Sequence, residues 1–233
     1  ATYTATWDRT GRLQDRYTNA VFNMDFSGPS GFKATRDDSY ELYLDHGFHY
    51  QRSGASFYTG VLRWLYLYGN YANGTGINYS PADGLEPFVG RTRDGSFGFT
   101  LRPTPRTRVE QFYYYTWLGL PDPKGSTVFT NHLLRTKVNF QFTRALSIRT
   151  ILDYYAVLPD SSLVNQTKSK FANADFLLTY LLNPGTALYV GYGRRYENTL
   201  IDRLARPPVT YGVAPLDFTG RQFFVKLSYL LRY

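Results

Sequence analysis

The stretch that decides the fold is Gly220–Tyr233, which reads GRQFFVKLSYLLRY. Every second residue of it is apolar, and this set is Phe223, Val225, Leu227, Tyr229, Leu231 and Tyr233. The intervening set is mostly polar and is Gln222, Phe224, Lys226, Ser228, Leu230 and Arg232. Because side chains of a β-strand point alternately to opposite faces, this stretch predicts a strand between an apolar medium and water. A second sheet would cover the apolar face in a soluble sandwich. In an outer-membrane barrel lipid covers it, and about 9–11 residues suffice to cross.

The same alternation recurs along the chain and predicts about twelve strands. Short connections are expected near residues 28–31, 63–64, 103–105, 143–145 and 183–185, with mostly longer loops between them, including 73–90 and 199–220. Short turns on one rim and long loops on the other are typical of a barrel with periplasmic turns and extracellular loops. We therefore predict an all-β fold, an antiparallel transmembrane β-barrel in which residues 1–233 form a single domain.

The composition excludes other classes of protein. The 233 residues include 22 Tyr, 17 Phe and no Cys, which excludes a disulfide scaffold and cysteine-based metal or redox sites. Aromatic residues fit a pleated surface. The mean hydropathy is −0.37, and no apolar run approaches the roughly 18–20 residues that a membrane helix needs. A helical membrane protein is therefore excluded, whereas a barrel, whose strands are half apolar, is not.

The formal net charge of +8 raises the question of an anionic partner. Arg and Lys recur singly in strand-like segments, with short groups only near residues 91–93, 102–108 and 203–206. A nucleic-acid footprint should form a stripe or a recognisable module, so we expect no nucleic-acid partner. The expected partners are the lipid bilayer of the bacterial outer membrane and other protein chains of the envelope.

Several segments resemble an uncharacterised family of outer-membrane β-barrels that often follow a family-9-like carbohydrate-binding domain. They are GTGINYSPADGLEPF (Gly74–Phe88), FTLRPTPR (Phe99–Arg106), NHLLRTKVNFQFTRALSIRTILDYYAVLPD (Asn131–Asp160), LLTYLLNPGTALYVGYGRRYEN (Leu177–Asn198) and GRQFFVKLSYLLRY (Gly220–Tyr233). The terminal aromatic residue also looks like the C-terminal signal of such proteins. The resemblance implies a barrel in the outer membrane and implies no catalytic residues.

The chain departs from that family in two respects. No segment resembles the carbohydrate-binding domain, and the family's barrels are generally longer than 233 residues allow. We expect the chain to be the C-terminal part of a larger barrel, with a separate short barrel as the alternative. Two open sheet edges in lipid would cost several kcal/mol per unpaired backbone group, so partner strands would then be needed.

Charged residues on the polar side of the predicted strands are candidates for lining a lumen. They are Arg135, Lys137, Arg149, Asp153, Asp175, Arg195, Lys226 and Arg232. In a water-filled lumen, a cationic excess would favour anions by raising their local concentration. The alternative is that these groups pair across strands and only solvate or plug the interior.

Aromatic residues on the opposite side are candidates for the membrane-interface girdles. They are Tyr113, Tyr115, Trp117, Tyr154, Tyr180, Tyr192, Tyr229 and Tyr233. A track that stacks sugars would instead need aromatic residues on the polar side. The candidates for it are Tyr66, Tyr68, Phe112, Tyr114, Tyr155 and Tyr189.

The sequence predicts no catalytic site, metal site or cofactor. His46 and His49 stand three residues apart beside Asp45, but no further ligand follows at a recognisable spacing. There is no GxSxG elbow, and Gly191-Tyr192-Gly193 lacks both the spacing and the helix of a phosphate-binding loop.

Two functions fit this sequence. The first is a porin-like passage for small solutes with a preference for anions. The second is a structural or anchoring barrel that docks or seals around another envelope protein. The two differ in whether the lumen is open.

Overall fold

The described residues of the chain form β-strands and no helix. The computed structural model describes residues 1–122, 125–183, 185–201, 204, 206, 209–212 and 215–230. The strands are β1 (Thr2–Trp7), β2 (Leu13–Phe26), β3 (Ser30–Tyr43), β4 (His46–Leu62), β5 (Leu65–Asn78), β6 (Phe88–Thr104), β7 (Thr107–Gly119), β8 (Thr127–Gln141), β9 (Leu146–Pro159), β10 (Ser169–Asn183), β11 (Thr186–Glu197), β12 (Thr199–Ile201), β13 (Val209–Tyr211) and β14 (Asp217–Tyr229). Within this part of the chain, no helix is long and apolar enough to cross a membrane.

Twelve of the strands form one antiparallel sheet, in the order β1 to β11 followed by β14. This agrees with the predicted number of strands. The pair β12–β13 is separate and lies inside residues 199–220, which the sequence predicted as loop. The end strands of the sheet are β1 and β14, and the described residues contain no pairing between them.

The register of the sheet separates a mostly polar from a mostly apolar set of side chains, and two neighbouring rows show this through β6 to β11 and β14. Directly paired residues of neighbouring strands point to the same face. One continuous row is Thr100, Glu110, Lys137, Ile151, Asp175, Gly193 and Gln222. The next row is Leu101, Val109, Val138, Thr150, Phe176, Tyr192 and Phe223. We call the side of the first row the polar face and that of the second row the apolar face.

The connections divide the sheet into two ends. The turns after β2, β4, β6, β8 and β10 form the short-turn end, as the sequence predicted. The opposite side, the long-loop end, carries residues 8–12, 79–87, 120–126, 160–168 and 198–216. One connection there is short: β3 and β4 are joined by Leu44 and Asp45, which have φ of 49° and 64°. Positive φ at both central residues matches the twist of a two-residue hairpin.

Some boundaries differ from the predicted ones. The long loop predicted at 73–90 is shorter, since β5 continues to Asn78 and β6 begins at Phe88. Residues 11–17 are polar and typical of a loop in composition, yet β2 begins at Leu13. Glycine, asparagine and aspartate in these stretches resembled loop composition, but ladder hydrogen bonds to a neighbouring strand overrule that local preference.

Candidate solute-binding face and its loop cap

The polar face carries the charged residues that were predicted to line a lumen. Seven of the eight lie there by register, and Arg232 is outside the described residues. Several form ion pairs: Arg135 Nε lies 3.3 Å from Asp153 Oδ1, Lys137 Nζ lies 3.5 Å from Glu110 Oε2, and Arg195 pairs with Glu197 at 2.6 Å. That this face lines a lumen stays a prediction.

Five arginines converge at the short-turn end of β4 to β9. They line a cavity of about 640 Å³ and are Arg63, Arg102, Arg106, Arg108 and Arg149, which we call the arginine pocket. No aspartate or glutamate lines this cavity. Its other polar groups include Asn139, Gln141, Ser147 and the indole of Trp64. A cavity of this size is in the range of small-molecule sites.

Hydrogen bonds between the short turns bring these arginines together. The backbone N–H of Arg102 donates to the carbonyl of Trp64 at 2.7 Å, which joins the β6–β7 turn to the β4–β5 turn. The N–H of Gln141 donates to the carbonyl of Arg106 at 2.9 Å, which joins the same turn to the end of β8. The guanidiniums therefore come from turns and strand ends that are distant in sequence but adjacent in the sheet.

An aromatic cavity of about 470 Å³ adjoins the arginine pocket. Arg108 and Arg149 line both cavities. The aromatic cavity adds Tyr68 and Phe112, whose ring centroids lie 6.5 Å apart with an angle of 19° between the planes. Tyr68 lies over Gly98, where any Cβ would overlap the ring, so the absence of a side chain there admits the tyrosine. The six aromatic residues named for a sugar-stacking track all lie on the polar face by register.

The part of the polar face that β2 and β3 form is acidic. By register, β2 and β3 place Asp15, Asp25, Asp37 and Glu41 there. Their partners are mostly neutral donors: Tyr17 donates its hydroxyl to Asp37 at 2.9 Å, and Tyr79 donates to Glu41 at 2.7 Å. The face thus carries an acidic region on β2–β3 and a cationic region on β6–β9.

Loops cover the polar face at the long-loop end. The buried cluster there is Leu118, Val128 and Val164, with Phe88, Leu120, Phe129 and Leu163 packed against it. Val164 belongs to loop 160–168 and forms a β-bridge with Pro81 of loop 79–87. We call loops 79–87 and 160–168 the cap. It lies over β6–β8, since Leu118 and Phe88 point to the polar face by register.

Two buried asparagines hold this end together. Asn78 is 3% exposed, donates to the carbonyl of Leu163 at 3.1 Å and accepts from the N–H of Ser80 at 3.3 Å. Asn198 is 2% exposed and donates to the carbonyl of Lys168 at 3.2 Å. Each amide makes two hydrogen bonds to backbone groups, since Asn198 also accepts from the N–H of Lys170, and this ties the loops to the strand ends.

Two ionisable groups of the cap have shifted pKa values. Hydrogen bonds from the side chain and backbone of Ser162 hold the pKa of Asp160 below its usual value. Burial, followed by the hydrogen bond to Glu41, raises the pKa of Tyr79 above its usual value. Tyr79 is therefore a neutral hydrogen-bond donor at physiological pH, and it links the cap to β3.

The predicted girdle residues lie on the apolar face where they are described. Tyr115 and Trp117 occupy the long-loop half of β7, and Tyr180 and Tyr229 lie near the short-turn end. Tyr113 is the central residue of β7, and Tyr154 lies level with it across Leu134, so these two lie between the two levels. Tyr192 lies mid-strand, opposite Phe176 and Phe223, and Tyr233 is outside the described residues. Two aromatic levels on one face fit the two interfaces of a membrane.

The histidines do not form a common site. His46 lies 4.0 Å from Glu86, whereas His49 points to the other face against Tyr40. Asp45 pairs with Arg12 at 2.8 Å. No group of three or more potential metal ligands occurs among the described residues. The absence of catalysis and of cofactors stays a prediction.

The arginine pocket and the cap were not recognised in the sequence. The pocket required knowledge of which turns are adjacent, although the group of arginines at 102–108 was a signal. The signal for the cap in the sequence was weaker and consisted of the apolar pair Leu163–Val164 within a polar loop.

Comparisons with protein-family models and with curated protein sequences find no match. Among solved structures, a structure of the NanC porin in a rhombohedral crystal form is similar over 94% of this chain and 94% of that chain. Its sequence identity is 12% and its TM-score is 0.39, which is too distant to indicate fold or function. The resemblance to barrels behind carbohydrate-binding domains stays a prediction.

Proposed function

We propose that the chain forms an outer-membrane β-barrel that acts as a porin-like passage for small solutes. The observation that carries this proposal is the separation of a mostly polar from a mostly apolar face, which two rows trace through β6–β11 and β14 of the sheet. An apolar face with aromatic residues at two levels suits contact with lipid, and a charged opposite face suits contact with water. Closure would join β1 and β14, which run in opposite directions because successive strands alternate.

A preference for anions is part of the proposal and rests on the short-turn end. There the arginine pocket presents cations without lining carboxylates. The acidic region on β2–β3 opposes it, so we expect a modest preference rather than exclusion of cations.

Reconstitution of the refolded chain into a planar bilayer tests the passage. Stable, uniform conductance steps are expected, with a reversal potential in a KCl gradient that lies toward that of chloride. Protein that is β-folded by circular dichroism and yet never conducts would contradict the passage and favour the second candidate.

The second candidate is an anchoring subunit whose end strands pair with another envelope chain. The observation that favours it is the exposure of the end strands. Phe223 of β14 and Tyr3 of β1 are 66% and 64% exposed, against 39% for Leu134 and 44% for Leu152 on interior strands. In addition, residues 20–26 of β2 pair only with β3. Cross-linking of intact membranes would show a specific heterologous partner under this candidate and none under a closed barrel.

A further inference from the structure

We infer that the arginine pocket and the aromatic cavity beside it form one binding site for a phosphorylated sugar. This inference rests on the proposed function in that it names a solute class for the same polar face. The binding measurement below requires no conducting pore, so the two can fail separately.

The first step concerns charge. Arg63, Arg102 and Arg149 make no ion pair with a carboxylate among the described residues. Arg108 is paired, with its Nε 2.5 Å from Glu110 Oε1. Adjacent guanidiniums without counter-charges repel one another, and a bound anion removes that repulsion.

The second step concerns the kind of anion. Guanidinium groups present a planar set of donors that matches phosphate and carboxylate oxygens in pairs. A phosphate monoester carries about −1.5 to −2 charges at neutral pH, whereas a carboxylate carries only one. A pocket with several uncompensated arginines therefore fits a phosphate group better than a single carboxylate.

The third step concerns the rest of the ligand. The two cavities, of about 640 and 470 Å³, share Arg108 and Arg149 and are far larger together than a phosphate ion. Tyr68 and Phe112 provide nearly parallel, half-buried rings on the far side of these arginines. The C–H face of a sugar packs on aromatic rings, while its hydroxyls need polar partners. Thr100 also lines the aromatic cavity and offers a hydroxyl, beside Glu110 and Lys137, which form an ion pair there.

Equilibrium binding of radiolabelled glucose 6-phosphate to the full chain in non-ionic detergent tests the site. Saturable binding is expected, with glucose and gluconate at least about tenfold weaker as competitors because each lacks the phosphate. Equal competition by gluconate would overturn the assignment to phosphate. Equal competition by glucose would overturn the role of the arginines.

Variants separate the two halves of the site. The double substitution Arg102→Gln/Arg149→Gln should weaken glucose 6-phosphate binding by about tenfold or more. The matched control Arg16→Gln/Arg36→Gln removes the same charge from the opposite face and should leave binding within about twofold. An equal loss in both would mean that only the net charge matters, and would overturn the site.

The aromatic half has its own variant. Phe112→Leu keeps an apolar side chain but removes the flat ring, so glucose 6-phosphate should bind about threefold to tenfold more weakly while inorganic phosphate is unaffected. Unchanged sugar phosphate binding would overturn the aromatic contribution.

Conductance of the same preparations keeps the proposals apart: a conducting protein without saturable binding overturns the site alone, and binding without conductance overturns the passage alone.

Discussion

Two adjacent leucines provide a sharp test of which face meets lipid. Leu134 lies on the apolar face between Tyr113 and Tyr154, and Leu133 lies on the polar face between Tyr114 and Tyr155. Replacing each leucine by arginine introduces the same charged side chain at neighbouring positions of one strand. We expect Leu134→Arg to destabilise the membrane-inserted protein strongly and Leu133→Arg to have little effect.

The expected magnitude follows from the position of Leu134. It is the central residue of the 15-residue strand β8, seven residues from either end. At about 3.3 Å per residue and a tilt of about 45°, it lies about 16 Å below each end along the membrane normal. In a hydrocarbon core of about 30 Å this is close to the midplane. There an arginine facing lipid costs about 2–4 kcal/mol, equivalent to a factor of about 30 to 700 in the folding equilibrium.

Reversible guanidinium unfolding in lipid vesicles, followed by tryptophan fluorescence, measures both variants. Leu133→Arg should lose less than about 1 kcal/mol, because the new side chain reaches water on the polar face. Equal losses in the two variants, or a larger loss for Leu133→Arg, would refute the assignment of the faces and with it the proposed barrel.

Three further predictions concern the cap and the polar face. Asn78→Ala removes the acceptor of the Ser80 N–H and one of two donors to the Leu163 carbonyl, which also accepts from the N–H of Ala82. The local free energy of opening of the cap, measured by amide exchange, should therefore fall by about 1–3 kcal/mol, while exposed Asn165→Ala should leave it unchanged. Gly98→Ala should lower the free energy of unfolding by about 1–3 kcal/mol, because the new Cβ would overlap the ring of Tyr68. The control is Gly95→Ala, whose Cβ would meet its nearest atom at 3.5 Å, so this variant should melt close to the wild type. The pKa of Asp160 is lowered in the folded state. The stability that its carboxylate gives the cap is therefore present above the usual pKa of 3.8 and is lost as pH falls through the folded pKa. Protection factors in the cap, which correct for the intrinsic pH dependence of amide exchange, should therefore fall below about pH 3.8 in the wild type, and Asp160→Asn should remove the part of this fall that comes from the carboxylate.

The sequence predicted the faces well because they depend on a local property. Alternation with period two assigns Lys137 and Leu134 to opposite faces without knowledge of any neighbour. It fails where local composition and pairing disagree. The turn at Leu44–Asp45 lacks glycine at both positive-φ positions, so no turn signal marks the hairpin. Residues 73–78 have loop composition, yet their backbone groups complete the ladder with β6.

The functional geometry required contacts between turns, which alternation does not encode. Arg63 and Arg102 are far apart in sequence and become neighbours because β5 pairs with β6 and the N–H of Arg102 donates to the carbonyl of Trp64. The cap depends likewise on Asn78 reaching Leu163 across three intervening strands.

These two features lie at opposite ends of the same face, and this constrains how a solute could pass. The cap buries Leu118 and Val128 over β6–β8 at the long-loop end, and the arginine pocket opens on β4–β9 at the short-turn end. The cap therefore lies between a solute held by the arginines and the medium beyond the long-loop end. If the cap were rigid, solutes would have to travel past strands that it does not cover, among them β2–β3, where the acidic residues repel anions. An anion-preferring passage along β6–β9 consequently requires the cap to open. Asn78→Ala should then raise anion conductance, and an unchanged conductance would place the route elsewhere.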